Sequence, residues 1–588
     1  MLKEAIHHEN FGIYAYPKTQ NELNLRLRVA KNDISECYVY YTDRYDYTSN
    51  LLYKKMQHFS YDEYYDYFNC TIKLESKRFK YFFKLIDVNG QHLYYLENGF
   101  KRDFPENTLN GGYFQYPYIN YDDILDMPHW CKNAIFYHIF PDRFCNGDRN
   151  NDPAEVQQWG TKPHRNSFFG GDIKGIISKL NYLQDLGVNA IYLTPVFLSN
   201  SNHKYDIIDY YKIDPHFGTL DDMRELVYQA HNRGIRIVLD AVFNHCSNEN
   251  KIFMDVVKNG KKSLYADWFY IQEFPIQTKP VPNYETFGVN ICNMPRLNTS
   301  NPKVREYLIK VAEYWTRELD IDGWRLDVAD EVSHGFWKEF RARLKSIKKD
   351  IFIIGEVWYY ATPWLMGDEF DSVMNYPFRQ AVIDFFVKRS LDKDGFIIRL
   401  NKYFVRYKDE IPYYLLNLLG SHDTPRFLSV CDGDVEKMKL AVIFTMTFVG
   451  IPMIYYGDEI GITGGDDPDC RKTMIWDGEV PEPELFDLYK RLIEIRKNNP
   501  VLVDGSIKFI DLSSNKYVLA FVRDNGSEKV MVIINNNDYD IKIEIDKTNF
   551  QKGQVTDLLC GKKYTFTTIG NREIASININ SMDAVLLI

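Results

Sequence analysis

The stretch DGWRLDVADE, residues 322–331, reads as a buried strand, with Trp324, Leu326 and Val328 set among small residues, yet it carries Arg325 and Asp327. Side chains two apart on a strand face the same side, so a guanidinium and a carboxylate project together. A cation beside Asp327 favours its ionised form and lowers its pKa, as a nucleophile requires. Glu356 lies 29 positions on, between Gly355 and Val357, with Trp358 next. Apolar surroundings keep a carboxylic acid protonated, which suits a general acid. Asp423 follows 67 positions later, beside His422. Three carboxylates without a His/Cys ligand cluster suggest glycoside hydrolysis. That reaction needs one protonated acid for the leaving oxygen and one ionised carboxylate beneath the anomeric carbon. Alone, Arg325 and Asp327 read equally well as a buried ion pair; Glu356 and Asp423 in register favour the chemical reading.

Something must bring these residues together. Eight short apolar runs recur along the middle of the chain, at 133–140, 187–196, 234–243, 322–328, 351–357, 370–378, 413–422 and 451–459. Amphipathic helical patterns separate several of them, as at 220–234 and 301–319. Strands buried on both faces and alternating with helices imply a parallel sheet. Eight such units imply a closed (β/α)8 barrel, whose active sites lie at the C-terminal ends of the strands. The third run then ends in Asp240, Asn244 and His245, the fourth in Arg325 and Asp327, the fifth in Glu356, the seventh in His422 and Asp423. The gap from the third strand to the fourth is too long for one helix, so residues 246–300 form an inserted subdomain at the barrel mouth. Residues 1–122 show strand composition with polar turns and read as a β-sandwich, and 505–588 as a small antiparallel β domain. The catalytic barrel thus spans 123–504.

Of 588 residues, 45% are hydrophobic and 26% charged, the balance of a soluble globular protein. A net charge of −10 argues against a nucleic-acid surface. The first residues hold no apolar core of signal-peptide length. Nine cysteines, odd in number and without a CxxC pair, fit reduced thiols in the cytoplasm. The apolar run 440–456 nearly reaches membrane-spanning length, but Gly450 and Pro452 split it into a buried helix and a buried strand. Tyrosine is abundant, at 44 residues, and clusters at 40–50 and 60–69. Those rings suit a sugar-binding face or an interface, and equally the packing of a sandwich.

The chain resembles the α-amylase superfamily of glycoside hydrolases, in particular its neopullulanase, cyclomaltodextrinase and maltogenic amylase group. The matching stretches are DAVFNH (240–245), GWRLDVADE (323–331), IIGEVW (353–358) and LLGSHDTPRF (418–427), with MPRLN (294–298), GVNAIYLTPVF (187–197) and GIPMIYYGDEIG (450–461). The resemblance implies Asp327 as nucleophile, Glu356 as acid/base and Asp423 as the group that grips the sugar and stabilises the transition state. It implies that Arg325 positions the nucleophile, that His245 and His422 bind the same sugar, and that Tyr205 stacks on its ring. Asp467 and Arg471 match a pair binding the next sugar towards the non-reducing end. Trp358 and Phe287 match aromatic residues on the leaving-group side, where core packing is the competing reading for each ring. A loop of relatives binds structural Ca²⁺ through residues matching Asn146, Asp148, Asn151, Asp152, the Gly170 carbonyl and Asp172. Hard oxygen ligands at short spacing suit that ion, although an Asx-rich surface turn has the same composition.

The resemblance further implies a retaining attack on α-1,4-glucosidic bonds of cyclomaltodextrins, maltodextrins and pullulan or starch. It implies a homodimer whose N-terminal domain narrows the mouth, acting on α-glucan oligosaccharides without nucleic acid or membrane. Two alternatives share the motifs: a glucanotransferase, and a non-catalytic amylase-like binding protein. The second conflicts with the presence of all three carboxylates. Asp330 and Thr473 depart from the group's usual Asn and Pro, away from the catalytic positions.

Overall fold

All eight expected barrel strands are present in the structure, a computed structural model that describes residues 1–48, 50–108, 111–550 and 553–588. They are β1 (Phe136–Ile139), β2 (Ala190–Leu193), β3 (Arg236–Ala241), β4 (Gly323–Leu326), β5 (Phe352–Gly355), β6 (Ser372–Val373), β7 (Leu416–Leu418) and β8 (Ile451–Tyr455). Their order in the sheet is β6-β5-β4-β3-β2-β1-β8-β7, all pairs parallel. A bridge between Met374 and Leu416 joins the ends of β6 and β7, which closes the barrel.

Register explains how charges come to lie inside. Asp240 on β3 pairs with Arg325 on β4, and Leu326 pairs with Gly355 on β5. One step further along that ladder sets Asp327 beside Glu356. Trp324 alternates to the opposite face, where its indole N–H donates to Thr316 Oγ1 at 3.0 Å. Thr316 belongs to α2 (Pro302–Leu319), which follows α1 (Leu220–His231) in the outer layer. The strand therefore buries apolar groups towards the helices and polar groups towards the mouth, as its two-residue period requires.

The apolar run 440–456 divides into α3 (Val435–Thr447) and β8, as its Gly and Pro suggest. Gly450 has φ +114, and a Cβ there would lie 2.5 Å from Asn417 Nδ2 and 2.9 Å from the Leu415 carbonyl. No L-residue fits that turn. Among the described residues no helix is long and apolar enough to cross a membrane.

By contacts the chain divides into two compact units. One comprises residues 1–127, 362–367 and 394–412. Its core lies between two antiparallel sheets, one built on Glu22–Ala30 and Tyr65–Lys73, the other on Ile34–Thr42 and Phe79–Asp87. The other holds the remaining barrel residues, the excursion between β3 and β4, and the C-terminal antiparallel strands from Ser506 to Leu587. That excursion is largely irregular beyond the helix Lys251–Asn259. Arg523, buried on a C-terminal strand, donates to the Thr447 carbonyl at 2.7 Å and the Leu502 carbonyl at 2.8 Å.

Candidate active site

Arg325 is the hub of the polar cluster at the strand ends. Its Nη1 donates to Asp240 Oδ2 at 2.9 Å and Asp327 Oδ1 at 2.8 Å, and its Nη2 lies 2.7 Å from Glu356 Oε2. A planar guanidinium holds such a fork rigidly. Tyr192 and Tyr205 donate to Asp240 at 2.5 and 3.1 Å. Glu356 Oε2 accepts from the Val328 amide at 3.0 Å, and Oε1 from the Trp358 indole at 3.2 Å. Asp327 Oδ2, although buried, has no hydrogen-bond partner.

The expectation that Arg325 holds the Asp327 pKa low is overturned. Burial dominates and pushes the Asp327 carboxyl well above the usual carboxylate range. Arg325 draws it down, while the charges of Glu356 and Asp240 push it further up. Burial likewise pushes Asp240 up to about 6, against the pull of Arg325 and the Tyr192 hydroxyl. One guanidinium does not offset the desolvation of the carboxylates buried around it.

Across the mouth, Arg471 Nη2 donates to Asp423 Oδ1 at 3.2 Å and Nη1 pairs with Asp467 at 3.0 Å. His422 Nε2 lies 2.6 Å from the Tyr205 hydroxyl and 3.1 Å from Asp423 Oδ2. The Tyr205 and His422 rings stack at 5.4 Å. His245 is buried and stacks on Phe287 at 4.8 Å, and neither of its ring nitrogens makes a hydrogen bond. Trp358 stacks on Tyr376 at 3.8 Å and remains 49% exposed, so one indole face is open.

These groups line one cleft of about 540 Å³. Of the expected catalytic and substrate residues, Asp327, Glu356, Asp423, His245, His422, Tyr205, Asp467, Arg471, Trp358 and Phe287 face it, and Arg325 lies beneath. His203, Met294, Val328, Asp330 and Glu331 also line it and were not anticipated as ligand contacts. His203 stands two residues from Tyr205, a spacing that offered a signal. Tyr376, under Trp358, offered none, because it lies at the start of a helix distant in sequence.

The Asx-rich loop after β1 is folded around Asp172. That carboxylate accepts from the amides of Gly147, Asp148 and Gly175 at 3.1, 2.7 and 2.6 Å and from Asn151 Nδ2 at 3.4 Å. Asp148 accepts from Asn150 and pairs with Lys174 at 2.7 Å. Asn146 Oδ1 and Asn151 Oδ1 are buried without partners. Asp152 Oδ1 accepts from Asn146 Nδ2 at 2.7 Å, and a Cβ on Gly170 (φ +77) would lie 2.2 Å from it. Among the described residues no group of three or more His, Cys, Asp or Glu side chains could hold a metal.

A closed parallel barrel with carboxylates converging on one cleft at its C-terminal rim defines a glycosidase-type site. Residues 138–505 match the family model for the alpha amylase catalytic domain, and residues 1–120 the one for the alpha amylase N-terminal ig-like domain. The chain belongs to the alpha-amylase family of glycoside hydrolases. It is similar to a cyclomaltodextrinase of Thermoanaerobacter pseudethanolicus, 51% identical over 537 residues, covering 91% of this chain and 93% of the relative. It is similar to neopullulanase 2 of Thermoactinomyces vulgaris, at 46% identity over 91% of each chain. A solved cyclomaltodextrinase structure superposes with a TM-score of 0.94 at 40% identity, covering 100% of both chains.

Proposed function

We propose that this enzyme hydrolyses α-1,4-glucosidic bonds of cyclomaltodextrins and short maltodextrins with retention, through a glycosyl ester on Asp327. The observation that carries the reading is the Arg325 fork, which contacts Asp327 at 2.8 Å and Glu356 at 2.7 Å. A shared planar cation keeps two carboxylates close, and retention needs a pair about 5–5.5 Å apart. Asp327 Oδ2, unpartnered, is the oxygen free to attack the anomeric carbon. Glu356 acts as acid towards the leaving oxygen, then as base towards the water that hydrolyses the ester. Asp423, His422 and the two open nitrogens of His245 bind the sugar at the cleavage point, with Tyr205 against its ring. Asp467 and Arg471 hold the next sugar, and Trp358 and Phe287 the leaving side.

A second reading, glucanotransfer, uses the same residues. The open face of Trp358 favours it, because a sugar stacked there competes with water for the glycosyl ester. The relatives' names direct the choice of substrates to test. Initial rates on β-cyclodextrin, pullulan and soluble starch are compared, with Asp327→Asn as blank. Fast opening of cyclodextrin, absent in the blank, is the expected result. Starch cut fastest overturns the small-substrate assignment, and no turnover on any of the three overturns the enzyme reading.

We also assign the loop after β1 to a structural Ca²⁺. The unpartnered oxygens of Asn146 and Asn151, beside Asp152 and the Gly170 backbone, are hard donors of the right chemistry. The Asp148 and Asp172 side chains orient this loop by the contacts described above. The ion would hold the loop and supplies no chemistry. A homodimer is supported by the exposed rings Tyr45, Tyr53, Tyr64 and Phe104 of the N-terminal unit. A cytoplasmic location is supported by nine thiols that are all free among the described residues.

A further inference from the structure

His138, buried on β1, has no part in the reading above. In register it sits between Tyr192 on β2 and Tyr455 on β8. Its ring lies 4.5 Å from the Tyr192 ring and 5.0 Å from the Tyr455 ring, so it is clamped on both sides. Its Nε2 is 3.2 Å from Nδ1 of His422, and its own Nδ1 is buried without a partner.

The contacts along this line favour one arrangement of protons. Asp240 already accepts from Arg325 and Tyr192, and the Tyr205 hydroxyl donates to it as well. That hydroxyl has one proton, and towards His422 Nε2 it must therefore accept. His422 carries its hydrogen on Nε2, which also suits Asp423 Oδ2 at 3.1 Å, an acceptor. Burial, with Arg471 and Arg325 nearby, keeps His422 neutral, so its Nδ1 bears a lone pair. His138 Nε2 must then donate, which leaves His138 Nδ1 as a bare acceptor. A buried acceptor without a partner is better tolerated than a buried N–H without one, and Nδ1 is the atom found unpartnered.

We propose that His138 is a positioning residue for the glycosidase reaction. By donating to His422 Nδ1 it locks the tautomer that aims the His422 Nε2–H at Tyr205, Asp423 and the sugar at the cleavage point. The chain of donors runs His138, His422, Tyr205, Asp240, and ends on the carboxylate that anchors Arg325. An outer partner fixes the tautomer of a working histidine in this way when it leaves that histidine a single proton to offer.

The kinetic consequence rests on the site reading above; the tautomer does not. Neutron diffraction of the perdeuterated enzyme reads the tautomer directly. Deuterium is expected on Nε2 of both His138 and His422, and on neither Nδ1. Deuterium on His422 Nδ1 overturns the proposal. In kinetics, His138→Gln retains a donor towards His422, whereas His138→Leu has none. The leucine variant is expected to lose about 10- to 100-fold in kcat, and the glutamine variant to recover most of that loss. Equal loss in both folded variants, or a leucine variant that melts early yet keeps wild-type kcat, makes His138 merely structural and overturns the proposal. If neither variant folds, the neutron map alone decides. A wild type that cleaves no α-glucan, with deuterium placed as expected, sinks the site reading and leaves the tautomer lock standing.

Discussion

The backbone amide of Val328 donates to Glu356 Oε2 at 3.0 Å, and Val328 reaches this position in the left-handed region, at φ 46° and ψ 46°. A β-branched residue there is strained by about 1–2 kcal/mol. That conformation, directly after Asp327, presents the amide to Glu356. Val328→Gly is expected to cost less than about 1 kcal/mol, because relief of strain offsets the freer unfolded chain. The amide remains, so kcat should stay within about tenfold of wild type, or ~1.4 kcal/mol. Val328→Pro has no amide hydrogen and cannot take positive φ, and should lose at least about 100-fold in kcat. Denaturation midpoints and kcat for both variants test this; a folded but inactive glycine variant refutes it.

The two catalytic carboxylates should separate by leaving group. On the proposed roles, Asp327→Asn removes the nucleophile and should abolish turnover of every substrate. On the same roles, Glu356→Gln removes only the proton donor, so α-maltosyl fluoride, whose leaving group needs no proton, should still react. Fluoride release measured for each variant decides. Equal losses in the two variants would mean that the roles are misassigned.

Asp322, immediately before β4, predicts a pH dependence of stability. Its carboxylate accepts from His231 at 2.7 Å, Arg236 at 2.8 Å and the Ile237 amide at 2.9 Å. Burial pushes its pKa up, but His231, Lys348 and the Ile237 amide pull it down to about 2, from 3.8. A depressed folded pKa binds protons more weakly than the unfolded chain does. Its contribution is present above pH 3.8 and lost as pH falls towards 2, about 2 kcal/mol in all. Asp322→Asn should therefore destabilise by about 2 kcal/mol or more at pH 7, with the difference shrinking in acid. Urea titrations at pH 7 and pH 3 check it, and a difference independent of pH rules it out.

If the proposed calcium occupies the loop after β1, its removal should lower the melting temperature without changing chemistry. Chelation followed by calorimetry should show a lower Tm, restored by Ca²⁺ and not by Mg²⁺, which demands tighter octahedral geometry. Asn151→Ala should abolish the difference between the two states. An unchanged Tm on chelation, with no calcium in the protein by elemental analysis, removes the metal assignment.

Much of this was legible in the chain itself. The eight apolar runs are strands because parallel strands buried on both faces carry continuous apolar sequence, and each became a barrel strand. Arg325 and Asp327 share a face because strand side chains alternate. The two short segments Ser372–Val373 and Leu416–Leu418 needed closure of the barrel to become strands, since neither is long enough to stand alone. The irregular segment 246–300 gave no periodicity to read, yet it places Phe287 against His245.

The sequence by itself determined which residues stand at the ends of strands, because side-chain alternation and spacing are local properties. Only the tertiary structure decided their charge states and partners. The cation beside Asp327 predicted a lowered pKa from two residues alone. Three carboxylates and one guanidinium buried together reversed that sign. Desolvation depends on everything that surrounds a group, and the charged groups around Asp327 come from three different strands. The same holds for His138, an unremarked letter in an apolar run until barrel closure set it 3.2 Å from His422.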